Sequence, residues 1–161
     1  MKLLYSLLLF FSFSTFAAAP VPEPVPEFVT APTQALALGE LKGKVVLLDF
    51  WASWCGPCRQ SFPWLNQMQQ KYAAQGLVIL AINEDEERTD AELFLKKHPA
   101  QFSLLFDQNG KLASQYQLQG MPTSILLDRK GQIRFSHAGF FQKKATGYEQ
   151  EIQQLLQEDA K

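Results

Sequence analysis

Short apolar runs and helically spaced apolar stripes follow one another along the middle and end of this chain. Val45 to Phe50 and Leu77 to Ile82 are leucine-rich or β-branched runs flanked by turn residues, which predicts two buried parallel strands. Between them, Phe62, Leu65, Met68 and Tyr72 fall on one helical face, so the three segments predict a β-α-β unit with a right-handed crossover. Asp90 to Lys97 reads as a second helix, with Asp90 as its cap and Leu93 and Phe94 facing inward. Phe102 to Phe106 predicts a short strand and Leu112 to Tyr116 a short helix. Ser124 to Leu127 and Ile133 to His137 flank Asp128-Arg129-Lys130-Gly131, a hairpin signal. Tyr148, Ile152, Leu155 and Leu156 mark a last amphipathic helix. The sum is an α/β domain: a central mixed β-sheet flanked by helices, with an extra segment between the β-α-β unit and the C-terminal hairpin.

The N-terminal pattern is different. Lys2 followed by the apolar stretch Leu3 to Phe16 has the form of a signal peptide, shorter than the roughly 20 residues a membrane span needs. Residues 1–19 are therefore expected to direct export. Cleavage after Ala17 is preferred to cleavage after Ala19, which would leave Pro20 against the cut, and an uncleaved anchor stays open. Residues 20–32 form a proline-rich linker, whose alternating prolines favour extended polyproline conformation and leave nothing to bury. Residues 33–161 are then one domain, long enough for a proper core. With 15 Lys and Arg against 16 Asp and Glu, nothing in the charge suggests nucleic acid. No coiled-coil pattern or unpaired cysteine argues against a monomer.

The chemistry gathers in Asp49-Phe-Trp-Ala-Ser-Trp-Cys-Gly-Pro-Cys58, which holds both cysteines of the chain. The first strand runs straight into them, and Pro57 followed by a helical pattern puts Cys55 at a helix N-terminus. There, unpaired N–H groups and the positive dipole end favour a thiolate. A strand, a turn and a helix opening with C-x-x-C is a redox context rather than a metal one. Cys55 is the expected nucleophile and Cys58, one helical turn on, the resolving thiol. A permanent disulfide over so small a ring would be a poor staple. A zinc site would need two further ligands, and His98 and His137 lie far along the chain, so no metal is expected. Asp49 is a carboxylate within an apolar strand. Buried, it would hold its proton to higher pH than a free Asp; turned to water at the strand end, it would not. Trp51 reads as core and Trp54 as the rim of the active surface. Arg59 either adds positive potential or is simply solvated. Glu84-Asp-Glu-Glu87 reads as a solvated loop.

These residues resemble the thioredoxin superfamily from about Leu41 onward. Asp49 lies six residues before Cys55, Pro63 five after Cys58, and Gly120-Met-Pro-Thr123 precedes a strand as the thioredoxin cis-proline loop does. Gly139 closes the following strand where thioredoxins also have glycine. The secreted-type N-terminus and the extra residues between Asn83 and Phe106 make the chain more similar to the TlpA/ResA-like thiol–disulfide oxidoreductases. The resemblance implies a thioredoxin fold and dithiol exchange through Cys55 and Cys58, with Asp49 taking the Cys58 proton. It implies a cis Pro122, with Trp54, Gly56, Pro57, Met121, Pro122 and Thr123 contacting substrate. The Gly56-Pro57 dipeptide, shared with thioredoxins, leans toward a reductant. The glutamate that TlpA/ResA-like proteins often carry three residues after the second cysteine is Ser61 here, which moves the burden onto Asp49. Implied partners are protein thiols or disulfides and a membrane electron donor, in a periplasmic or extracytoplasmic setting. The cofactor is none beyond the redox-active Cys55–Cys58 pair. Family members serve cytochrome c maturation or the rescue of oxidised proteins. A disulfide oxidase or isomerase on the same fold, or a non-catalytic binding module, remain the alternatives.

Overall fold

The computed structural model describes residues 41–158. The expected signal segment (1–19), the expected proline-rich linker (20–32) and the expected domain start at residue 33 lie outside the described residues. Five strands, β1 (Val45–Trp51), β2 (Leu77–Asn83), β3 (Ser103–Phe106), β4 (Thr123–Leu127) and β5 (Ile133–Ala138), form one sheet in the order β3-β2-β1-β4-β5. β1, β2 and β3 are parallel, whereas β4 runs antiparallel to β1 and β5 antiparallel to β4. The helices are α1 (Cys58–Tyr72), α2 (Arg88–Lys97), α3 (Lys111–Gln115) and α4 (Ala145–Glu158). The expected extra segment thus becomes α2, the edge strand β3 and α3.

β1 explains the layering. All seven of its residues are buried, and strand periodicity sends alternate side chains to opposite faces. Val45, Leu47 and Trp51 join Phe62 and Leu65 of α1, Phe94 of α2 and Ile152 and Leu155 of α4 in one core. Val46, Leu48 and Phe50 pack on the other face with Ile82, Ile125 and Leu112 of α3. Asp49 therefore belongs to the α1 face by register.

Two expectations for α2 need correcting. The helix starts at Arg88, so Asp90 sits in its first turn and does not cap it; Glu87 holds the N-cap position without a side-chain bond. Leu93 is 56% exposed while Phe94 is buried. The reason is docking: the Phe94 ring lies 4.8 Å from Trp51 and 5.0 Å from Phe62, edge-on or tilted as aromatic quadrupoles prefer. Leu93, about 100° round the helix, then points to water.

At the turn end of the β4–β5 hairpin, Arg129 ties three chain segments together. It donates to the carbonyls of Gly43 (2.8 Å), Leu156 (3.2 Å) and Gln75 (3.3 Å). Gly76 has φ +101°, a conformation that favours glycine, and a Cβ there would stand 2.8 Å from Arg129 Nη1 and push that guanidinium aside.

Candidate active site

The end of β1 delivers the chain into a turn, Ala52 to Cys55, closed by a bond from the Cys55 N–H to Ala52 O at 3.1 Å. Cys58 then opens α1, with Pro57 at the N-cap and no side chain capping the helix. Proline suits this place because its missing N–H costs no helical bond. Cys55 and Cys58 are joined as a disulfide with Cα atoms 5.3 Å apart. The Cys58 N–H points at Cys55 Sγ from 3.2 Å. Both cysteines are nearly enclosed, at 3% and 0% exposure, while Trp54, Gly56 and Pro57 stand out around them. Trp51, by contrast, is wholly buried against Phe62.

Asp49 is completely buried, on the α1 face of β1 by strand register. Its partner across the ladder is Ser124, whose hydroxyl donates to Asp49 Oδ1 at 2.7 Å; Oδ2 is buried and finds no partner among the described residues. Burial, offset in part by the Ser124 bond, pushes the Asp49 carboxyl up to about 7. The expectation of a carboxylate turned to water therefore does not describe Asp49. Ser61 is buried too, and its hydroxyl is spent on the Cys58 carbonyl at 3.1 Å. It leaves no second carboxylate there to share a proton.

The loop before β4 completes the surface. The Met121–Pro122 peptide bond is cis. Pro122 is buried, its carbonyl accepts the Gly139 N–H at 2.7 Å, and the Thr123 hydroxyl donates to Gly120 O at 2.7 Å. Half-buried Met121 packs on the same core cluster as the two cysteines. Within the described residues, no backbone hydrogen bond takes up its N–H or C=O. Arg59 is exposed on α1, and His98 and His137 lie apart, His137 pairing with Glu151 at 2.6 Å.

The acidic run after β2 is only in part the solvated loop its composition suggests: Glu86 and Glu87 are exposed, whereas Glu84 and Asp85 are drawn inward. Asp85 is 3% exposed and is bonded to Ser53 and Asn83. Glu84 is half-buried beside Asp107, and one of its oxygens is enclosed without a partner among the described residues. Burial first, then the Asp107 charge, push the Glu84 carboxyl up to about 8. The signal available in the sequence was position: the run directly follows a buried parallel strand, at the sheet end that carries the cysteines. A carboxyl raised in the folded state costs nothing at a pH where it is protonated folded or unfolded, and most once both states are ionised. Glu84→Gln should therefore match the parent near pH 4 and exceed it by about 1 kcal/mol at pH 9, the figure discounted for partial exposure. Urea unfolding at the two pH values checks this, and equal curves at pH 9 would show that water reaches the carboxylate.

A family model described as Redoxin matches residues 20–154. A thiol-disulfide oxidoreductase ResA of Bacillus cereus is 34% identical over 110 residues, which is 67% of this chain and 64% of that protein. ResA of Bacillus subtilis (strain 168) is 31% identical over 67% of this chain and 62% of its own. The chain thus spans a little under two thirds of these relatives' length. Among solved structures, a putative thiol:disulfide interchange protein DsbE from Chlorobium tepidum superposes with TM-score 0.78 at 46% identity, covering 83% of this chain and 96% of that one. StoA from Bacillus subtilis gives TM-score 0.59 at 27% identity, over 68% and 82%.

Proposed function

The chain belongs to the Redoxin family as a ResA-like member of the thioredoxin superfamily, and from that premise we propose that it reduces protein disulfides by dithiol exchange through Cys55 and Cys58. The observation that carries this is the pairing of an accessible rim with a hidden base. Cys55 sits behind Trp54, Gly56 and Pro57 at a helix start, and Asp49 is buried on the face of β1 that packs against α1.

In the reduced protein, the Cys58 N–H and the helix start favour a Cys55 thiolate. That thiolate attacks one sulfur of a substrate disulfide. A Cys55–substrate bond forms, the substrate S–S bond breaks, and the first substrate sulfur leaves as a thiolate and takes a proton. Cys58 then gives its proton to the Asp49 carboxylate and attacks Cys55 Sγ, releasing the second substrate thiolate. Two electrons have passed to the substrate, and the Cys55–Cys58 disulfide remains. A carboxyl group poised near neutrality suits this step, because it can accept the proton and return it. The free Met121 N–H and C=O offer strand addition to an extended substrate segment, with Met121 and Trp54 as apolar contacts beside it and Pro122 and Thr123 setting the loop.

Recharging needs a dithiol donor, which we place at the membrane in an extracytoplasmic compartment, in keeping with the signal-type N-terminus. The pair itself would be the whole redox apparatus, without a bound cofactor. The test is the equilibrium potential of the Cys55–Cys58 couple against a thiol buffer. We expect a value near about −270 mV or lower; one near about −120 mV would make the protein a donor of disulfides.

A further inference from the structure

The turn that carries Cys55 is held from outside by a residue with no part in the exchange steps. Ser53 and Trp54 are the central pair of the turn Ala52 to Cys55. Asp85, two residues past the end of β2, reaches across to Ser53. Its Oδ2 and Oδ1 accept the Ser53 N–H at 2.9 and 3.1 Å, and Oδ1 also accepts the Ser53 hydroxyl at 2.9 Å. Asn83 Nδ2 donates to Oδ2 at 2.7 Å, and the Asp85 N–H returns to Asn83 Oδ1 at 3.2 Å. Between these two, the Glu84 N–H donates to Trp51 O at 2.9 Å. The tail of β2 is thereby laced to the tail of β1, residue by residue, as far as the turn.

An acidic side chain this enclosed is expensive unless donors surround it. Here the donors come from the turn and from Asn83, and bonds to a carboxylate are stronger than neutral ones. A fold needing only a loop at this point could leave Asp85 in water. We propose that Asp85 is a positioning residue for exchange, fixing the Ala52–Cys55 turn so that Cys55 meets a substrate disulfide held at Met121. The inference rests on the exchange reading above. A thiolate attacks a disulfide sulfur along the S–S axis, and the strand-adding loop fixes where that axis lies. An ångström of drift in the turn misaligns the two even though the thiol itself is unaltered.

The experiment uses the reduced full chain and two readouts. One is kcat/KM for reduction of the disulfides of insulin. The other is the high-pH plateau of Cys55 alkylation by iodoacetamide, a small reagent that needs the thiolate but no partner aligned by the protein. Asp85→Asn should lower the first by about tenfold and Ser53→Ala by about threefold, with the alkylation plateau within twofold of the parent in both. The double variant should lose less than the product of the two, because both deletions cut one clamp. Insulin reduction unchanged in both single variants would overturn the proposal. So would an alkylation plateau that falls in step with it, which would make Asp85 a general support of the thiol. If Asp85→Asn does not fold, Ser53→Ala still decides, since it removes one hydroxyl and keeps the backbone bonds to Asp85. A parent protein inert toward insulin would instead overturn the exchange reading.

Discussion

Cys55→Ser should reduce disulfide exchange to background, a loss of about a thousandfold or more, while Cys58→Ser should stop the reaction halfway. The two cysteines are equivalent in composition but not in place. Cys55 lies next to exposed Trp54 and Gly56, whereas Cys58 is fully buried as the first residue of α1. Cys55 keeps slight exposure beside that rim and Cys58 none, so an incoming disulfide is expected to engage the first sulfur. A Cys58→Ser protein still attacks, but nothing within it can resolve the mixed disulfide. Incubation with a disulfide-bonded protein followed by non-reducing electrophoresis should therefore show a covalent adduct that dithiothreitol removes. An adduct on Cys55→Ser instead would reverse the assignment. Serine at Cys55 that left exchange intact would remove the pair from the chemistry and favour a binding module on the same fold.

Asp49→Asn should give the second large effect, and with opposite signs in rate and stability. The rate falls because Cys58 loses its proton acceptor, with Ser61 already committed to the Cys58 carbonyl. General-base assistance of this kind is worth about a hundredfold or more, which should appear in resolution of the mixed disulfide and not in its formation. Stability changes because the Asp49 carboxyl ionises at about 7 when folded, against 3.8 ordinarily. Below the lower value both folded and unfolded chains carry the proton, and burial is not penalised. As pH rises between the two, the unfolded chain ionises first and stability drains away. Above about 7 the loss is complete, of the order of 4 kcal/mol. Asn carries no charge, so the oxidised variant should be more stable than the parent by a few kcal/mol at pH 8 and nearly equal at pH 4. Denaturant unfolding of the oxidised proteins across that range checks it. Parallel stability curves would mean that Asp49 ionises cheaply and cannot act as a neutral-pH base.

Much of this was legible along the chain because the elements around the cysteines are local. β1 is a continuous apolar run and α1 repeats its apolar residues at helical spacing, so strand, turn and helix were readable together with the dithiol between them. The alternation of β1 is also what puts Asp49 on the α1 side. What escaped was decided at a distance. Leu93 and Phe94 are neighbours, and periodicity alone does not say which of them docks; Trp51 and Phe62 choose Phe94. Asp85 sits 32 residues from the serine it holds, inside a run of four acids whose composition reads as water-facing. Glu84 looked solvated for the same reason, and the nearness of Asp107 follows from β2 and β3 being side by side.

Arg129 binds the Gly43 carbonyl just ahead of Val45, where β1 begins, whereas the dithiol follows where β1 ends. Seven strand residues separate the two poles of the molecule by roughly 20 Å. Leu41, where the described residues begin, therefore lies toward the pole opposite Cys55. At the Cys55 pole a partner first meets exposed Trp54, Gly56 and Pro57, and it reaches them without crossing residues 41–44.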